Sequence, residues 1–194
     1  FAVKKPALRR TILFLSFSGE EKGALGSTYY VNHPFFPLDR SVAMLNMDMI
    51  GRLESKTLTI GGTGSSPEWN GVLAKYNTDS SFTLKLDPSG FGPSDHAQFY
   101  GKDIPVLFFW TGYHSDYHKP SDQWETLNYA GEEKVVRYIY NIAHDVDEQL
   151  QRPVFAKSQT SGPSMGTGDS RGFSVTLGIV PDYGQSADGM KISG

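Results

Sequence analysis

Four short stretches of the chain hold the residue types that do chemistry. The first is Ser18-Gly19-Glu20-Glu21, where two carboxylates sit side by side just after an apolar run. Adjacent carboxylates repel, and burying either one takes a cation or a change of protonation. A metal ion offers a division of labour in which one Glu ligates it and the other takes a proton from water. The plainer alternative is a helix start, where the helix dipole favours Glu. The second stretch is Asn46-Met47-Asp48-Met49-Ile50-Gly51. An Asp inside an otherwise apolar strand is costly unless it is paired or coordinated, which favours Asp48 as a ligand over a turn-capping residue.

The third stretch, Gly112 to Asp122, contains His114 and His118 four residues apart. That is the spacing of a helical zinc pair. Gly112 and Pro120 argue against a helix here, so only one of the two is expected to ligate. A loop His is also often a plain surface residue. The fourth stretch, Gly90-Phe91-Gly92-Pro93-Ser94-Asp95-His96, leads from a Gly/Pro loop into a polar triplet. Ser94 or Asp95 reads as the N-cap of a short helix. A Ser–His–Asp triad is disfavoured, because no Gly-x-Ser-x-Gly elbow surrounds Ser94.

These residues need a scaffold. The chain has 194 residues, 38% hydrophobic and 13% aromatic, enough for one domain with a real core. Thr11–Phe17, 41–50, 58–60 and 104–110 read as buried strands, and 82–86 as an exposed or edge strand. Helices are expected over 22–32, 66–77 and 131–151, the last with Val135, Ile139, Ile142, Val146 and Leu150 on one stripe. Alternation of strand and helix predicts an α/β fold with a mostly parallel sheet. Glu20, Glu21 and Asp48 then fall at C-terminal strand ends, where such sheets bind ligands. In residues 157–170, eight of fourteen are Ser, Gly or Pro, which reads as a flexible linker within 153–170. Residues 171–194 read as the first part of a further module.

Composition removes several function classes. Lys plus Arg is 18 and Asp plus Glu is 21, a net charge of −3, which argues against a nucleic-acid binder with a basic surface. No apolar run is long enough to span a membrane. Cys is absent, so a metal would be held by His, Asp and Glu.

Taken together, the motifs resemble the M28 family of zinc metallopeptidases, which includes aminopeptidases. The resemblance rests on Phe17-Ser18-Gly19-Glu20-Glu21 with Gly23 and Gly26-Ser27, on Asn46 to Gly51, on Ser94-Asp95-His96, and on Tyr117-His118-Lys119-Pro120-Ser121-Asp122. It covers about residues 8 to 150. It implies a zinc-exopeptidase-like fold, a mixed sheet sandwiched by helices, with two zinc ions at the strand ends and a peptide or small amide as substrate. By resemblance Glu20 is the general base, Glu21 and His118 ligate one zinc, Asp48 ligates the other, and Tyr117 polarises the scissile carbonyl. Phe91, Ser94, Asp95 and His96 are expected along the substrate pocket. The tail from Leu177 to Tyr183 resembles the opening of the PDZ-like module of some bacterial members, which leans towards a cell-envelope or secreted protein.

One departure stands out. Family members carry a His-x-Asp motif and a metal-bridging Asp upstream of the Glu pair. Here the only His before Asp48 is His33, in a Tyr-Val-Asn-His-Pro context, and residues 1–17 contain no Asp or Glu. The expectation is therefore a catalytic domain incomplete at its N-terminus, holding the second half of the site. It would have no peptidase activity alone. The competing readings are a non-catalytic binding module of the same fold, and another amide-directed activity such as a carboxypeptidase or glutaminyl cyclase.

Overall fold

A computed structural model of the chain describes residues 8–158, together with 181–182 and 191–192. The apolar strand-forming runs build β1 (Met44–Met47), β2 (Thr57–Gly61), β3 (Thr83–Leu86) and β4 (Val106–Trp110). They pair in the order β1-β4-β2-β3. β1 runs parallel to β4 and β2 parallel to β3, whereas β2 and β4 are antiparallel. The sheet is thus mostly parallel, as its sequence pattern predicts, and mixed, as the family resemblance implies. β4 lies between two neighbours, and its first four residues are fully covered. The alternating β3 takes the edge.

Four helices flank this sheet: α1 (Leu25–Asn32), α2 (Trp69–Lys75), α3 (His96–Tyr100) and α4 (Tyr129–Glu148). Successive strand residues point to opposite faces, and β4 divides its side chains accordingly. Leu107 and Phe109 join Leu58 and Ile60 of β2 against Trp69, Val72 and Leu73 of α2 and the Val135, Ile139, Ile142 stripe of α4. Val106 packs on the other face with Val31 of α1 and Phe99 and Tyr100 of α3. α4 starts where Asn128 caps it, its side chain accepting from the Gly131 amide at 2.9 Å.

One expected strand is corrected. Thr11–Phe17 is rich in strand formers but joins no ladder among the described residues. Leu13, Phe14 and Leu15 are exposed, Phe14 by 79%. Strand propensity expresses fit to a half-buried pleated surface, and here no neighbouring strand supplies that surface. Phe17, at the end of the run, packs on Tyr30 and Phe99.

The chain divides into two compact units at Gly162/Pro163. Residues 153–158, at the start of the expected linker, pack within the first unit. Pro153 is buried, the Ala156 amide donates to the Ser65 carbonyl at 2.9 Å, and Phe155 packs on Tyr100. The rest of that linker and the strand expected over 172–180 lie outside the described residues. In the second unit β5 (Pro181–Asp182) pairs antiparallel with β6 (Lys191–Ile192).

Candidate active site

Glu20 and Glu21 sit in a single turn of 3-10 helix, Glu20–Lys22, between the extended 11–17 segment and α1. The turn is closed by the Gly23 and Ala24 amides, which donate to the Glu20 carbonyl at 2.9 and 2.8 Å. Gly19 enters it at φ 70°, a left-handed conformation that glycine adopts without strain. Gly26 lets α1 close against it, because a Cβ there would stand 2.7 Å from the Ser18 carbonyl oxygen. The carboxylate pair is therefore held by backbone geometry that its flanking glycines permit.

Asp48 leaves the end of β1, its amide donating to the Phe109 carbonyl at 3.2 Å. Asn46, two residues earlier and on the same face, donates to Ser94 Oγ at 2.8 Å. Ser94 in turn donates to Asp48 Oδ2, also at 2.8 Å. This buried relay fixes one face of the Asp48 carboxylate. Next to it Ser27 of α1 donates to Asp95 Oδ1 at 2.5 Å.

The Gly112–Asp122 loop follows β4 and forms tight turns rather than a helix. Its two histidines separate. His118 Nε2 meets Glu21 Oε1 at 2.8 Å, joining residues 97 apart in sequence, and both side chains remain open to solvent. His114 turns the other way, to Asp122 at 3.7 Å. The Tyr117 ring stacks on His118 with centroids 3.8 Å apart, which places the phenol beside the Glu21–His118 pair.

The electrostatics of Glu20 follow from its neighbours. Partial burial, then the carboxylates of Glu21, Asp48 and Asp95, push its pKa up to about 7, while His118 opposes them. Three carboxylates thus act on Glu20. His96 behaves differently. It is buried and stacked on Phe108 at 4.5 Å, and burial lowers its pKa to about 4, so the ring is neutral at neutral pH. Ser94 and Asp95 are also buried, whereas Phe91 stands half exposed, edge-on to Tyr100.

Carboxylate and imidazole are zinc donors, and the meeting of Glu21 with His118 fits two positions of one coordination shell. Among the described residues, no three His, Asp or Glu side chains converge as a metal cluster. Asp48 faces Ser94 and stands apart from that pair. The structure thus brings Glu20, Glu21, Asp48 and His118 to the same end of the sheet without closing a three-ligand shell. The hydrogen-bonding partners Ser27 and Asn46 were not expected as site residues. Asn46 carried a signal, since it is a polar residue two before Asp48 in a strand and so shares its face.

A mixed α/β sheet with helices on both faces, carrying carboxylates and a His loop at its strand ends, defines the class. The model of peptidase family M28 matches residues 1–143, and the chain belongs to that family. It is 30% identical over 125 residues to the leupeptin-inactivating enzyme 1 of Streptomyces exfoliatus, covering 63% of this chain and 27% of that protein. The LapA aminopeptidase of Legionella pneumophila superposes with a TM-score of 0.65 at 23% identity, covering 76% of this chain and 42% of that one. A zinc aminopeptidase of Bacillus subtilis superposes with a TM-score of 0.59 at 24% identity, covering 74% and 38%. The chain thus spans less than half the length of each of these relatives.

Proposed function

We propose that this chain carries part of the active site of a zinc-dependent peptidase that releases N-terminal amino acids from peptides. The observation that carries the reading is the meeting, at 2.8 Å, of His118 with Glu21 in the turn that also holds Glu20. In this reading Glu21 and His118 hold one zinc ion and Asp48 belongs to a second. Bound zinc supplies Lewis-acid polarisation of a carbonyl and a water acidic enough to lose its proton near neutral pH. Glu20 would accept a proton from the attacking water and return it to the leaving amine, the role of a general base and then a general acid. The Tyr117 hydroxyl donates to the carbonyl oxygen as negative charge develops there. The Asn46–Ser94–Asp48 relay keeps Asp48 in one orientation, the usual role of hydrogen-bond partners behind metal ligands. Phe91, at the mouth of the 90–96 loop, offers an apolar wall to the substrate. Residues 171–194 are read as the opening of a PDZ-like module, and the antiparallel β5–β6 pair supports a small β unit there.

The test assays the full gene product with an aminoacyl-anilide alongside its zinc content. Glu20→Gln should retain zinc and lose about 10²- to 10⁴-fold in turnover, the usual share of general acid–base catalysis. His118→Ala should lower zinc content, and His114→Ala should leave it nearly unchanged. Near-normal turnover with Gln at position 20 sinks the base assignment, and a larger zinc loss from His114→Ala means that the loop has been read in the wrong register.

A further inference from the structure

Arg52, which no motif singles out, reaches from the end of β1 to the His118 loop. It ends the 3-10 turn Ile50–Arg52, immediately after Asp48 and Met49. That turn is anchored at two points. The Thr111 amide and hydroxyl both donate to the Met49 carbonyl, at 3.2 and 2.6 Å, and the Asn128 amide donates to the Gly51 carbonyl at 2.8 Å. From this fixed base the Arg52 side chain, only 14% exposed, reaches the His118 loop. One guanidinium nitrogen lies 2.6 Å from Asp122 Oδ1 and 3.5 Å from Asp116 Oδ2. These two aspartates bracket His118, two residues before it and four after.

The bracketed segment needs holding. His118 has φ 56°, a left-handed conformation that a side chain with a Cβ resists. Such residues persist where the surrounding structure over-determines them. Within the segment Ser121 Oγ donates to Asp116 Oδ1 at 2.7 Å, and the Lys119 amide donates to the Asp116 carbonyl at 2.9 Å. Those bonds shape the turn but do not tie it to the sheet. Arg52 does, and the Asp122 that it holds also lies 3.7 Å from His114 Nε2.

We propose that Arg52 is a positioning residue that clamps the 116–122 turn to the end of β1 and so sets His118 against Glu21. The inference rests on the reading of His118 as a zinc ligand, and it concerns the residue behind that ligand. Through Asp116 and Asp122, the Asp48 end of β1 and the His118 loop become one rigid unit.

The experiment compares the full chain with Arg52→Met, Arg52→Lys, Asp122→Asn and His118→Ala. Two quantities are read: zinc affinity by chelator competition, and the NMR shift of the His118 ring, which Tyr117 displaces by stacking on it. Arg52→Met should weaken zinc by about 10- to 100-fold, the usual effect of removing a partner behind a ligand. It should also move the His118 ring signal towards its unstacked position. Arg52→Lys should recover part of both, because a single nitrogen serves both aspartates. Asp122→Asn, at a side chain 38% exposed, should move the ring signal in the same direction. Combined with His118→Ala, Arg52→Met should cost no further zinc affinity. An unchanged ring signal in Arg52→Met and Asp122→Asn overturns the proposal, and so does a zinc loss that adds in full to that of His118→Ala. If His118→Ala itself leaves zinc binding intact, the ligand reading falls, and the ring signal still decides the role of Arg52.

Discussion

The two faces of the sheet use the same kinds of side chain with opposite results. On one face, Trp69, Leu73, Leu58, Phe109 and Ile142 are all essentially removed from water, closed in by α2 and α4. Towards the other, the core of Val31, Phe99, Tyr100, Ile104 and Val106 is smaller. Around it Leu13, Phe14, Leu15, Leu25, Tyr29, Phe35 and Phe36 stay exposed. Apolar composition therefore does not decide burial. Burial takes a second layer, and the long amphipathic α4 is that layer on the first face. The candidate site sits at the strand ends, where Glu20 and Glu21 are set by the thinly covered segment and Asp48 and His118 by the well-packed strands.

The largest test of this contrast is a pair of truncations. Trp69→Ala removes a ring that is 0% exposed and should cost about 3–5 kcal/mol of unfolding free energy, by analogy with large-to-small changes in packed cores. Phe14→Ala, at a ring 79% exposed, should stay within about 0.5 kcal/mol. Urea unfolding of both variants measures the difference, and equal losses would break the contrast.

A second test uses pH. His96 is held neutral by burial, with its pKa lowered to about 4, whereas an unfolded His titrates near 6.5. Above pH 6.5 both states are neutral and nothing is lost. As the pH falls from 6.5 towards 4, the unfolded chain binds a proton that the folded one refuses, so stability drops through that window by up to about 3 kcal/mol. A His96→Phe variant should flatten this slope. Unfolding midpoints at pH 7, 5.5 and 4.5 compare the two proteins, and identical slopes mean that His96 is solvated after all.

The smallest effect sharpens the well-packed face. Tyr138 of α4 donates its hydroxyl to the Leu73 carbonyl of α2 at 2.8 Å, and burial raises the phenol's pKa well above its ordinary value. Tyr138→Phe keeps the ring and loses this bond, so it should cost about 1 kcal/mol. A cost near zero would show that ring packing alone joins α2 to α4.

Much of this was legible along the chain because the signals are local. β1, β4 and α4 follow from runs and stripes of apolar residues, and the division of β4 between two faces follows from the two-residue period of a strand. The carboxylate pair, Asp48 and the His-bearing loop stood out because charge next to apolar strand residues demands a reason. Thr11–Phe17 misled for the same cause: the pattern of a strand is local, but its ladder partner is not.

The sequence by itself determined the class of fold, the family and the residue types at the strand ends, since these rest on periodicity and short-range spacing. The family resemblance already paired His118 with Glu21; the tertiary structure supplied the reason, because His114 and His118 differ in where a tight turn aims them and in the charges that receive them. Only the tertiary structure decided that Ser94 serves Asp48 and that Arg52 spans to Asp116 and Asp122. Those contacts join residues 46 to 97 apart. No local preference encodes such a separation; it is set when the packed sheet brings two strand ends side by side.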